Sequence, residues 1–101
     1  MPFTRLPFAD MPWTPGGHPS ERKKPAAHGA TLLEFAPGFA DPSWCERGHV
    51  AYVLSGTLHV ELHSGIETVQ AGDGFAIEAG TPHRASNPGP DPVRLFIVTT
   101  K

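Results

Sequence analysis

Cysteine is nearly absent from this 101-residue chain: the one present, Cys45, can form no disulfide with a second, so no internal cross-link staples the fold. That usage agrees with a reducing compartment and leaves Cys45 as a free thiol or a ligand. Long apolar runs are missing too. No stretch approaches the ~20 residues that span a bilayer, and Pro2, Pro7, Pro12 and Pro15 interrupt any signal-peptide core near the start. A cytoplasmic protein is the expectation. Charge of one sign is not in excess: the formal net charge is −2, with acids and bases interspersed. No extended basic field for nucleic acid and no basic amphipathic stretch for a membrane surface results, so neither partner is expected. The length allows one domain with one modest core.

Proline and glycine, by contrast, are plentiful, at 12 and 11 residues. Six of the twelve prolines fall in residues 1–28, which end in the polar, basic stretch Glu21-Arg22-Lys23-Lys24. This composition cannot sustain a helix and poorly sustains a central strand. It reads as an extended arm. Phe3, Leu6, Phe8, Met11 and Trp13 are too apolar for a free tail, so the arm is expected to lie against the rest of the domain or against a second subunit. From residue 29 to 101, short apolar runs alternate with Gly and Pro punctuation, the pattern of an all-β sandwich or barrel. Strands are predicted at 30–36, 49–54, 57–63, 66–70, 74–77, 82–87 and 92–99. Gly72-Asp73-Gly74 reads as a tight turn rather than a phosphate cradle, because no helix follows it.

Side-chain direction follows from strand parity. Leu58, Val60 and Leu62 alternate with His59, Glu61 and His63, placing the first set inward. If Ser55-Gly56 is a two-residue hairpin turn, Val53 opposes Leu58, Ala51 opposes Val60, and His49 opposes Leu62, which directs His49 into the interior. A three-residue turn would reverse it. A buried imidazole needs a partner, since an unsatisfied polar group costs about 1–3 kcal/mol. A metal ion is one such partner; a hydroxyl or a water is another.

His49 to Gly56 is followed, sixteen residues on, by Gly72-Asp73-Gly74-Phe75-Ala76-Ile77-Glu78-Ala79-Gly80-Thr81-Pro82-His83, ending at Asn87. This pairing resembles the two motifs of the cupin family, G(X)5HXH(X)3-4E(X)6G and G(X)5PXG(X)2H(X)3N. Gly72, Gly80, His83 and Asn87 match the second motif, and Glu78 stands where it has proline. In the first, Gly56 closes the pattern, His49 takes the glutamate position, and Ser43 and Cys45 take the two histidine positions. Gly38 lies one residue from the opening glycine.

The resemblance implies a cupin jelly roll enclosing a divalent metal, and a homodimer. The expected ligands are His49 and His83, then Cys45, with Glu46 in its place if a bulge flips parity. Imidazole and thiolate suit zinc, nickel, copper or iron, and the loss of the glutamate disfavours manganese. Ser43 is expected to bond a coordinated water, Trp44 and Tyr52 to wall a pocket, and Arg84, Asn87 and Arg94 to line the barrel mouth, Asn87 bonding a loop backbone. A sugar acid or carboxylate is the expected class of ligand, with isomerase, lyase or dioxygenase chemistry open. A sensor or binding module without catalysis, and a metal-free barrel, are the alternatives.

Overall fold

Alternation of apolar and polar residues produces short strands, and each buries its apolar parity. The computed structural model describes residues 2–100. Its strands are β1 (Thr14–Pro15), β2 (Glu21–Pro25), β3 (Ala30–Phe35), β4 (His49–Ser55), β5 (Thr57–Leu62), β6 (Gly65–Gln70), β7 (Gly74–Ile77), β8 (His83–Ser86) and β9 (Val93–Thr99). They form a six-stranded sheet in the order β1-β2-β3-β9-β4-β7 and a three-stranded sheet in the order β6-β5-β8. Every pairing is antiparallel. The result is an all-β jelly-roll sandwich. Its core is Phe35, Phe39, Ala51, Val53, Leu58, Val60, Val93 and Leu95, drawn from the facing sides of both sheets. No helix of the described residues is long and apolar enough to cross a membrane.

All seven strands expected from residue 30 onward are present, with ends displaced by at most one residue. β1 and β2 were not expected. β2 reads Glu-Arg-Lys-Lys-Pro and hydrogen-bonds along the whole of β3, from Glu21 opposite Phe35 to Pro25 opposite Thr31. Two circumstances permit so charged a strand. Its inward residues face a cavity rather than packed core, and Pro25 lies beyond the two positions at which β1 pairs, so its missing N–H breaks no ladder. Before β1, the ring of Phe8 meets Phe96 edge-on at 5.9 Å, and Lys24 Nζ donates to the Phe8 carbonyl at 2.8 Å.

The hairpin expected at Ser55-Gly56 does not form. β4 bonds to β7 and β9, while β5 bonds to β6 and β8, so the chain passes from one sheet to the other at this corner. Gly56 has φ +80°, and a Cβ there would lie 2.6 Å from the Pro92 carbonyl oxygen, so the corner requires glycine. His49 nevertheless points inward, on the same parity as the buried Ala51 and Val53. Alternation within β4, which buries Ala51 and Val53, sets that direction whichever strands it pairs with.

Candidate metal centre

Between the sheets lies a cavity of about 590 Å³. Its walls are apolar on the strand faces and polar where β2 and the segment 41–47 bound it. That segment is held by β8. Ala40 bridges Ser86 and Cys45 bridges His83; the Cys45 N–H donates to the His83 carbonyl at 2.7 Å, and the His83 N–H returns to Cys45 at 2.9 Å. Asp41 adds an N–H to the Ala85 carbonyl at 2.9 Å and accepts the Ala85 N–H on its carboxylate, also at 2.9 Å. Thirty-eight residues apart in sequence, Cys45 and His83 are thus fixed side by side by backbone alone.

His49, from β4 in the other sheet, completes a cluster. One donor atom from each of Cys45, His49 and His83 lies within 4.8 Å of the others. The His49 and His83 rings stand 5.1 Å apart, nearly perpendicular at 81°. Cys45 Sγ is 3.8 Å from His49 Nε2. Zn–S and Zn–N bonds of about 2.3 and 2.0–2.1 Å at a tetrahedral angle give an S–N edge of about 3.5 Å, so small side-chain shifts would close the site.

The hydrogen bonds orient all three side chains. His83 Nδ1 donates to the Thr81 carbonyl at 2.8 Å, which leaves its Nε2 carrying the lone pair. That Nε2 is buried and has no hydrogen-bond partner. His49 Nδ1 is paired with Thr99 Oγ1 at 3.2 Å, so its Nε2 too faces the cluster. The Arg47 N–H donates to Cys45 Sγ at 3.5 Å. Burial, then the charges of His83 and Arg47, push the His49 imidazole below the ordinary histidine pKa, favouring the neutral form that can coordinate. Backbone or hydroxyl anchors on the far nitrogen are the usual support of a ligating histidine. The donor set therefore could hold a metal ion.

Of the residues singled out in the sequence, Cys45, His49 and His83 converge. Glu46 lines the cavity but is exposed, and its carboxylate lies outside the donor cluster; its backbone carbonyl instead accepts the Gly80 N–H at 2.8 Å. Ser43 lines the cavity, and Trp44 stands at its edge, 38% exposed, with the Arg84 guanidinium 4.3 Å from its ring. Tyr52 turns to the outer face of β4. Arg84, Asn87 and Arg94 do not line the cavity, because each is engaged elsewhere: Arg84 with Glu61, Arg94 with Glu34, and Asn87 with the backbone of the opposite end. Sequence reasoning missed Thr99, the anchor of His49, and Glu21, Lys23 and Arg47 on the cavity wall. For both Thr99 and Lys23 the signal was inward parity: that of Thr99 was legible within the predicted strand 92–99, that of Lys23 only once β2 was recognised as a strand.

Residues 31–99 match the family model of a cupin domain. No curated protein sequence matches the chain. Among solved structures it is similar to KdgF from Halomonas sp., with 24% identity, a TM-score of 0.74, and 92% of this chain and 91% of that one covered. A sugar phosphate isomerase of the cupin superfamily from Silicibacter pomeroyi gives a TM-score of 0.79 at 18% identity, covering 97% and 76%. The polyketide cyclase RemF from Streptomyces resistomycificus also gives 0.79, at 20% identity, covering 98% and 80%. Identities this low speak to the fold alone. With the family model spanning more than two thirds of its residues, the chain belongs to the cupin family.

Proposed function

We propose that this protein holds one divalent transition metal on Cys45, His49 and His83 and uses it to bind a small oxygen-bearing ligand, of the sugar-acid or carboxylate class, in the cavity. The observation that carries the reading is His83 Nε2. Only 6% of the residue is exposed, its Nδ1 is committed to Thr81, and its remaining lone pair is left without a partner, at a cost a bound cation would remove. One thiolate and two imidazoles favour zinc, nickel, copper or iron over the hard ions. Three protein donors leave a coordination position for ligand or water, the pattern of sites that do chemistry rather than of closed structural ones. When bound, the metal supplies Lewis acidity toward a ligand oxygen.

The chain's own residues set the conditions. Thr81 and Thr99 hold the two rings, and Leu58, Val60 and Leu95 supply an apolar wall. Glu21 and Asp41 each accept a backbone N–H, from Gly17 and Ala85, which leaves Glu46 as the wall carboxylate without a hydrogen bond among the described residues. It is the candidate proton carrier if the bound ligand is transformed. Similar folds described as a sugar phosphate isomerase and a polyketide cyclase support small organic ligands as the class. Val50, Tyr52 and Leu54, exposed together on the outer face of β4, support a homodimer, and the free thiol of Cys45 supports a cytoplasmic setting.

Elemental analysis of purified, untagged protein with and without His83→Ala tests the reading. About one equivalent of metal, lost in the variant, is the expected result. No metal in either sample after incubation with zinc, nickel, copper and iron would overturn it.

A further inference from the structure

Cations among the described residues are almost all spoken for. Arg22 and Arg94 share Glu34, Arg84 pairs with Glu61, Lys24 donates to the Phe8 carbonyl, and Arg5 lies over the Phe3 ring. Among the described residues two remain whose charged groups have no hydrogen bond, ion pair or ring, Lys23 and Arg47, and both line the cavity. Lys23 is the sharper case. Its neighbours in β2, Arg22 and Lys24, point outward and are paired, whereas Lys23 points inward and is half-buried beside Leu33 and Leu95. The wall also carries Glu21, Asp41 and Glu46, but none of them pairs with Lys23, so its half-buried ammonium is left for an anion that enters the cavity.

The ladder registers set the backbone of Lys23 far from that of His49, beside which Arg47 lies. Lys23 pairs with Leu33, Leu33 with Leu95, and Leu95 with Val53, four residues along β4 from His49. Backbone separation is thus about 13 Å along the strand and about 14 Å across three strand spacings. Arg47 lies two residues before His49 and lines the same cavity as that imidazole. One acid group cannot contact both cations. We infer that the ligand is a dianion with an acid group at each end, one seated by Arg47 beside the metal position and the other by Lys23. The chain between them lies on Leu33, Leu58 and Leu95. This assignment rests on the ligand-binding reading above and narrows its substrate class. Carboxylate and phosphate share the required chemistry, since both accept charge-assisted hydrogen bonds.

Calorimetric titration of the cobalt-loaded and metal-free protein with adipate, hexanoate and 1,6-hexanediol, which carry two, one and no acid groups on the same chain length, tests it. Affinity is expected to fall in that order. Lys23→Gln should weaken adipate about tenfold, to the level of hexanoate, and leave hexanoate and cobalt content unchanged. Lys23→Arg should retain the adipate affinity, which separates charge from folding. Arg47→Gln should weaken both acids. Replacing adipate by hexane-1,6-diol bisphosphate identifies the preferred acid group, and tighter binding of either dianion supports the assignment. Adipate binding no tighter than hexanoate in the wild type, or equally tight in Lys23→Gln, would overturn it. Failure to take up cobalt, with the adipate preference intact in the metal-free protein, would sink the metal site and leave the dianion site standing.

Discussion

His83 and Asn87 bracket β8, four residues apart and both nearly sealed from solvent, at 6% and 1% exposure, yet they are bonded in opposite ways. Asn87 is fully employed. Its Nδ2 donates to the Phe35 carbonyl at 3.0 Å and to the Asp91 carbonyl at 2.9 Å, and its Oδ1 accepts the Gly89 N–H at 3.2 Å. Around it, Phe35 and Phe39 stack at 4.0 Å and close that end of the sandwich. His83 has one nitrogen tied to Thr81 and the other idle. A buried polar group whose every atom is satisfied serves the fold; one held rigidly with a lone pair to spare could take a partner from outside the chain. The motif that places both residues makes no distinction between these roles.

The widest test of that contrast is the pair Asn87→Ala and His83→Ala. Removing Asn87 strands two carbonyls and an N–H, so unfolding by urea should show a loss of about 3 kcal/mol, with metal content at the wild-type level in whatever remains folded. His83→Ala should do the reverse, abolishing metal binding while the metal-free protein changes by about 1 kcal/mol or less. Equal stability losses would erase the distinction. Next in size is Gly56→Ala, which forces a Cβ against the Pro92 carbonyl at positive φ beside the segment that Asn87 ties down. A loss of about 2 kcal/mol is expected in the same assay, again without effect on metal stoichiometry.

At the His83 end, Thr99→Val removes the hydroxyl that orients His49 while keeping its shape. Competition with a chelator should show metal affinity lowered about tenfold. Stability of the metal-free form should stay within about 0.5 kcal/mol.

The smallest effect concerns Glu34, outside both ends. Hydrogen bonds from Arg22 and then Arg94, opposed by some burial, hold its carboxyl below the ordinary value of 4.5. A depressed folded pKa means a contribution that is complete above the unfolded value and lost as pH falls through the folded one. Both arginines are considerably exposed, so water screens the pairs. Glu34→Gln should therefore cost about 1 kcal/mol at pH 7, and the difference from wild type should shrink below pH ~4. A difference that stays constant from pH 7 to 3 would show that packing, not charge, is responsible.

Much of the fold could be read because period-two alternation reports directly on which side of a strand is dry. Leu58 and Val60, or Ala51 and Val53, announce their face whatever they pair with. Pairing itself is not written locally. Nothing in Val53-Leu54-Ser55-Gly56-Thr57 distinguishes a hairpin from a corner between sheets; the difference is made by β7 and β9, which compete for β4 and win. β2 escaped notice because its inward side faces a cavity, so Glu21 and Lys23 occupy positions where a core strand would carry apolar residues. The inward placement of His49 came out right although the hairpin that suggested it is absent, because parity within β4 survives a change of partner.

The sequence by itself determined the seven strands from residue 30 onward, their dry faces, the all-β class, and the side chains whose chemistry suits a metal, since these depend on local periodicity and on side-chain chemistry. Only the tertiary structure decided that Cys45 rather than Glu46 joins the histidines, that Thr99 and Thr81 hold the rings, and that Lys23 and Arg47 line one cavity. Each of those facts joins residues distant in the chain through a backbone ladder or across the gap between sheets. Their proximity is created by closure of the sandwich, a global balance of burial and hydrogen bonding that no short stretch of sequence encodes.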